Sequence, residues 1–263
     1  MKINFLFFVF PTIILNINCT PTPSAQDESV QITPTELSKT NVEEKLGIEL
    51  GKTEILTSQN EYSSYEETKL EVKQIRLNIN ENEISKDSLS TLFAELLINK
   101  IIPYWYGTKW SFEGHTSQPG KGEIACGYFV STTLKDMGIV INRYKLAQQS
   151  PINEARTLNI LQPVIEINKK SVKENIIALD SVTNEGVYFI GLDQSHVGYL
   201  LKKEGQLFLI HSNYLEARGV EIERLEISEV FSYFEKFYLA EISTNERLLE
   251  KWLAQEAVEV IVQ

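Results

Sequence analysis

An α+β domain is what this sequence predicts, on three observations. From Leu89 to Ile101, and again from Cys126 to Met137, apolar residues recur at spacings of three and four, the helical period. From Gly186 to Ile242 short apolar runs follow one another across brief polar connections, the mark of antiparallel strands. Of 263 residues, 43% are hydrophobic and 23% charged, so the chain is neither fibrous, nor disordered throughout, nor a bundle of membrane spans.

The N-terminal segment carries one positive charge, Lys2, and then an almost wholly apolar run from Ile3 to Leu15. That run is too short for a good transmembrane helix and fits the apolar core of a signal peptide. Cys19 follows, and then Thr-Pro-Thr-Pro-Ser. A cysteine in that position resembles a bacterial lipoprotein site, where the thiol takes a diacylglyceryl group. Asn16, Ile17 and Asn18 replace the usual small residue before it. The other reading is a plain secretory signal cut nearby. Residues 1–18 are thus expected to be a signal peptide, with lipidation at Cys19. The protein would then be an exported lipoprotein of the bacterial envelope, periplasmic or surface, held to the membrane by its anchor.

Residues 19–84 read as an acidic flexible tether; between 20 and 90 lie 14 acidic and 7 basic residues. Within the tether the run Thr68–Asn78 alternates imperfectly and can form one edge strand. Over the whole chain 25 Lys and Arg face 36 Asp and Glu, for a net charge of -11, which argues against nucleic acid as a partner.

The remaining residues, 85–263, form the expected domain. A helix starts near Ser85 to Ser88 under a serine cap, with Asp87 in its first turn and an inward stripe of Leu89, Leu92, Phe93, Leu96, Leu97 and Ile101; Pro103 is expected to end it. Residues 107–124 hold four glycines and read as a long loop. A second helix runs from Cys126 to Met137, closed by Gly138. A polar, partly helical stretch follows to about Asp180. Strands are expected over 186–192, 196–201, 206–211, 219–225 and 237–242, and a last amphipathic helix over 245–254.

Reactive residues are few. Two cysteines, 19 and 126, exclude a disulfide framework, and the histidines are 115, 196 and 211. Cys126 follows the glycine-rich loop and opens a helix, where free amides and the helix dipole favour thiolate. An isolated cysteine is more often a small buried hydrophobe. Here, however, a histidine stands in a suitable place downstream. His196 opens one strand and His211 closes the next. A turn centred on Lys203–Glu204 would set His196 opposite His211, and a turn at Glu204–Gly205 would set it opposite Asn213. Either neighbour could orient the ring, as a third group orients a catalytic base. A zinc site from Cys126, His196 and His211 lacks any local paired-ligand motif, so no metal and no cofactor are expected. His115 reads as exposed and incidental. Tyr104, Trp105, Tyr106 and Trp110 could form a binding platform or belong to the core.

Four segments carry a resemblance: Pro103-Tyr104-Trp105-Tyr106-Gly107, Ile124-Ala125-Cys126-Gly127-Tyr128-Phe129-Val130, His196-Val197-Gly198-Tyr199 and Leu209-Ile210-His211-Ser212. In order, spacing and element type they resemble the papain-like NlpC/P60 family over residues 85–243. The resemblance implies a papain-like NlpC/P60-type fold, with a helical first half packed on an antiparallel sheet. It implies a cysteine peptidase or amidase that cuts a peptide or amide substrate, peptidoglycan peptides being the usual one. By that resemblance Cys126 is the nucleophile, His196 the general base and acid, and His211 the third polar residue. Tyr104 lines the site and Tyr106 joins it in substrate binding. Where the family usually has Asp-Cys-Ser-Gly, this chain has Ala125-Cys126-Gly127-Tyr128, and Thr108 stands where a second glycine is common. These departures point to a divergent branch acting on another amide or acyl substrate. The competing expectation is a non-catalytic surface lipoprotein, a binding module in which Cys126 is inert.

Overall fold

The computed structural model describes residues 64–79 and 84–262, all within one compact unit. The signal segment, Cys19 and the tether up to residue 63 lie outside the described residues. Tyr65–Leu77 is a helix, α1, where the sequence pattern was read as an edge strand. Ser64 caps it through a capping box with Glu67, and Tyr65, Thr68 and Val72 are buried at helical spacing. The apparent alternation of Leu70, Val72 and Ile75 was misleading, since Leu70 is exposed. This helix is part of the core and not of a tether. Trp105 Nε1 donates to Tyr65 Oη at 2.9 Å, and Arg76 Nη1 donates to the Trp252 carbonyl at 3.1 Å.

Helix α2, Lys86–Glu95, starts within the expected stretch, and the serine that caps it is Ser85. It does not stop at Pro103. A π-helical stretch, Leu96–Ile101, and a 3₁₀ turn, Ile102–Trp105, carry the chain on. Proline is tolerated there because it falls at the start of a turn, where its missing N–H is not needed. Helix α3 is Cys126–Asp136, closed by Gly138 at φ 95°. Then come β1 (Val140–Ile141), α4 (Arg143–Ala147), α5 (Pro151–Leu158), β2 (Ile165–Asn168) and α6 (Val172–Val182). The strand meander follows: β3 (Gly186–Leu192), β4 (His196–Lys203), β5 (Gln206–Asn213) and β6 (Gly219–Arg224). The short α7 (Glu229–Ser232), β7 (Lys236–Glu241), α8 (Glu246–Ala254) and β8 (Ala257–Val258) complete the order.

Six strands form one antiparallel sheet in the order β2-β7-β3-β4-β5-β6. The fold is thus α+β, and α3 packs on β4 and β5. Both faces of the sheet are buried. One face, with Val187, Phe189, Val197, Tyr199 and Ile210, meets the core of α1, α2, α3 and α8. The other, with Tyr188, Ile190, Leu200 and Leu209, is covered by residues of α6 and α7, including Leu179 and Phe231. Two buried faces explain why β3 reads as a continuous apolar run and not as an alternating one.

Candidate active site

The site lies where β4 and β5 part. Their pairing runs from Lys203↔Gln206 to Tyr199↔Ile210 and goes no further, although β4 begins at His196 and β5 ends at Asn213. The hairpin turn is Glu204–Gly205, both with positive φ (53° and 71°), which suits a type I′ turn. This register, continued, sets His196 opposite Asn213 and Gly198 opposite His211. The ring contact nevertheless goes to the diagonal neighbour: His196 Nε2 and His211 Nδ1 are 2.8 Å apart. Gly198 makes this possible. A Cβ there would stand 2.9 Å from His211 Cβ, inside the space the imidazole uses. Asn213 is engaged elsewhere, donating to Glu221 Oε1 at 2.6 Å and accepting from the Leu215 amide.

The chain of contacts continues from His211 Nε2 to Glu223 Oε1 at 3.1 Å, an oxygen that also accepts from Ser228 Oγ at 2.6 Å. Burial opposes ionisation of Glu223, but the hydrogen bonds from His211 and Ser228 outweigh it and hold the carboxyl below its ordinary value. A carboxylate only accepts, so with a neutral His211 ring the tautomers run one way along the line. His211 Nε2–H donates to Glu223, His211 Nδ1 accepts, and His196 Nε2–H donates to it. His196 Nδ1 is left as the nitrogen with a free lone pair. Burial, and then the neighbouring His211, push His196 well below the ordinary imidazole value, so it is neutral at rest.

Cys126 is half-buried at the start of α3. Three backbone amides, of Val197, Gly127 and Cys126 itself, act on its sulfur. Val197 directly follows His196, so the thiol reaches the opened end of β4. Ser212 Oγ donates to the Ile124 carbonyl at 2.7 Å and ties β5 to the residues just before the cysteine. Among the described residues no hydrogen bond joins the thiol to His196. The helix start was expected to lower the thiol, but the opposite holds. Burial pushes it up to about 11, against the lowering by the three amides. The resting pair is a neutral thiol beside a neutral imidazole.

Aromatic side chains close the site around His196. Phe234 stacks on it at 6.1 Å between centroids, Tyr214 meets it edge-on at 5.3 Å, and Trp110 lies 6.1 Å from Tyr214. Burial, and then the nearby Cys126, raise the Tyr214 hydroxyl. Compared with known proteins, the chain matches no family model, no curated protein and no solved structure. The functional reading therefore rests on this geometry.

The structure thus brings Cys126, His196 and His211 to one end of the sheet. Tyr104 Oη shares a hydrogen bond of 2.8 Å with Thr68 Oγ1 and its ring lies 5.2 Å from Tyr65, so it packs on α1. Tyr106 is half-buried, and burial raises its hydroxyl. Trp105 is wholly buried core. His115 is exposed, its Nδ1 2.8 Å from the Glu113 carbonyl. Glu223, Tyr214, Phe234 and Glu154 were not singled out by sequence reasoning. Glu223 had a visible signal, an acidic residue on a strand expected to lie beside His211. His211, Glu221 and Glu223 bring possible ligand atoms within 4.8 Å of one another. Asn213 and Ser228 already serve the two carboxylates, which accounts for the grouping by hydrogen bonding alone.

Proposed function

We propose that this protein is a cysteine hydrolase cleaving an amide or peptide bond, a divergent relative of the papain-like NlpC/P60 enzymes. The observation that carries the reading is the buried line Glu223–His211–His196, which leaves one imidazole lone pair at the strand end that the Cys126 sulfur reaches. Cys126 Sγ attacks the substrate carbonyl carbon as its proton passes to His196 Nδ1. The S–C bond forms and the carbonyl electron pair moves to oxygen, where the Cys126 and Gly127 amides can receive it. The imidazolium is stabilised through His211 by the Glu223 carboxylate. It then returns its proton to the leaving amine as the C–N bond breaks, and water hydrolyses the thioester by the reverse steps. Because both partners are neutral at rest, proton transfer accompanies attack and no standing ion pair is needed.

Trapping the acyl-enzyme tests this. With p-nitrophenyl acetate, mass spectrometry should find one acetyl group on Cys126. The acylation rate should fall about 10²- to 10⁴-fold in His196→Ala, the usual weight of a positioned base. Equal rates in the two proteins would favour the binding-module reading, for which the raised thiol is the supporting observation. The N-terminal pattern supports export and a lipid on Cys19; absence of lipid from that residue in the protein isolated from bacterial membranes would remove this part.

A further inference from the structure

We propose that Glu154 is a positioning residue for the nucleophile, its buried carboxyl setting from α5 how readily the Cys126 thiol ionises. This rests on the reading of Cys126 as nucleophile. Glu154 lies in the first turn of α5 and is only 2% exposed. Its Oε2 is buried without a hydrogen-bond partner, and so is Oγ of Ser150, the N-cap of the same helix. A buried polar atom left unpaired costs roughly 1–3 kcal/mol, so it calls for an explanation.

Backbone packing places this carboxyl by the site. The start of α5 presses on β3 at Gly191, where a Cβ would stand 2.7 Å from Pro151 Cβ. Gly191 pairs with Val197, whose amide serves the Cys126 sulfur. On the other side, Gly127 packs against the Ala147 carbonyl, which a Cβ would meet at 2.9 Å. The α5 N-terminus therefore lies against the strand that pairs with β4, while α4, the helix just before it, seats against the start of α3. Both the Cys126 thiol and the Tyr199 hydroxyl feel the Glu154 charge.

Of the other titratable groups on the packed elements, Lys236 on β7 bridges Glu166 at 2.8 Å, and Arg143 on α4, whose buried Nε has no hydrogen-bond partner, lies over the Tyr144 ring. Tyr199 on β4 is bonded to Thr133 Oγ1 at 2.7 Å and to the Val130 carbonyl at 3.1 Å. Arg143 on α4 donates to the His115 carbonyl, and Arg156 on α5 itself donates to Asn153 Oδ1. Tyr238 on β7 is a buried phenol, and β3 presents Val187, Phe189 and Gly191. Burial alone therefore acts on the carboxyl and pushes it well above its ordinary value. While Glu154 is uncharged, nothing on α5 opposes transfer of the thiol proton to His196. Once it ionises, a negative charge behind the sulfur disfavours thiolate and the nucleophile is turned down.

The test is the rate of Cys126 alkylation by iodoacetamide against pH in wild type, Glu154→Gln and Glu154→Leu. Both variants should alkylate roughly three- to tenfold faster than wild type at pH 9, corresponding to a thiol lowered by half a unit to one unit. A carboxyl that acts only through hydrogen bonding would leave Gln like wild type and set Leu apart, and that pattern overturns the proposal. So would three superimposable profiles. Should neither variant fold, carbon-13 glutamate spectra of the wild-type protein decide. A carboxyl still protonated at pH 7 that shifts on alkylation of Cys126 supports the proposal, and one that titrates near 4.5 refutes it. Alkylation reads thiol ionisation without turnover, so failure of acyl trapping and failure of this coupling are separate outcomes.

Discussion

At the scale of single residues, the direction of the hydrogen-bond line matters more than its members. Glu223 can only accept, and with a neutral His211 between them that leaves the lone pair on Nδ1 of His196. Glu223→Gln supplies a donor in the same place. Its amide N–H can donate a hydrogen bond to His211 Nε2, which reverses the tautomers along the line and leaves the proton of His196 on Nδ1, the wrong form for a base. We therefore expect Glu223→Gln to lose about 10²-fold or more in acylation rate, and Glu223→Ala to lose less, since it removes the orienter without reversing the tautomer. Equal losses would show that only packing is at stake. His196 also links stability to pH. Its folded value lies well below 6.5, whereas the unfolded imidazole takes its proton near 6.5. Above that pH neither state is charged and the contribution is complete. As pH falls below about 6.5, the unfolded chain binds a proton that the fold refuses, and stability drops by at most about 1.4 kcal/mol per pH unit. Calorimetry between pH 7 and 5 should show this slope, made shallower in His196→Asn.

At the scale of elements, close backbone contacts aim the nucleophile. Gly127 lets the start of α3 seat against the end of α4, with the Ala147 carbonyl 2.9 Å from where a Cβ would be. A carbonyl of the main chain cannot swing aside as a side-chain tip would. Gly127→Ala should cost about 1–3 kcal/mol of stability and move Sγ off the Val197 amide, visible as a lowered melting temperature and slower acylation. A variant with wild-type values for both would show that α4 yields. Arg143 holds the preceding loop in a comparable way. It lies 4.8 Å from the Tyr144 ring centroid, and its Nη2 donates to the His115 carbonyl at 2.6 Å. Local signals were enough for the elements that frame the site. A serine cap near Ser85, Gly138 as stop and the strands from Gly186 onward were all legible, because each depends on neighbours a few residues away. Helix α1 was equally legible, since Ser64 and Glu67 spell a capping box, but its Val and Ile residues mimicked a strand. Strand β2 was not legible: Ile165–Asn168 is four residues long, and what makes it a strand is pairing with β7, far along the chain.

At the scale of the whole molecule, the two ends of the described chain brace the same core. Arg76 of α1 reaches the Trp252 carbonyl of α8, while Trp252 Nε1 donates to the Met137 carbonyl at 2.7 Å behind α3. β8 pairs in parallel with β1, the strand that follows α3. The helix bearing the thiol is thus held from behind by both ends. A chain starting at Ser85 loses the buried Tyr65 and Val72 and should be less stable by about 3–6 kcal/mol, whereas one starting at Ser64 should melt like the full chain. Equal melting of the two would show α1 to be dispensable.

The sequence by itself determined the α+β class, the helices starting near Ser85 and at Cys126, the strands from Gly186 onward, and the placing of one cysteine at a helix start and two histidines on neighbouring strands. These follow from periodicity, caps and turn residues, which act over a few positions. The tertiary structure decided the chemistry at the site. The Glu204–Gly205 turn sets His196 opposite Asn213, yet the bare Gly198 lets its ring reach the diagonal neighbour His211 instead. Burial reversed the thiol from the lowered value a helix start favours to one of about 11. Glu154 and Glu223 entered from segments that the sequence does not link to Cys126. Desolvation and Coulomb interactions depend on what surrounds a group in space, and that is known only when the chain has packed.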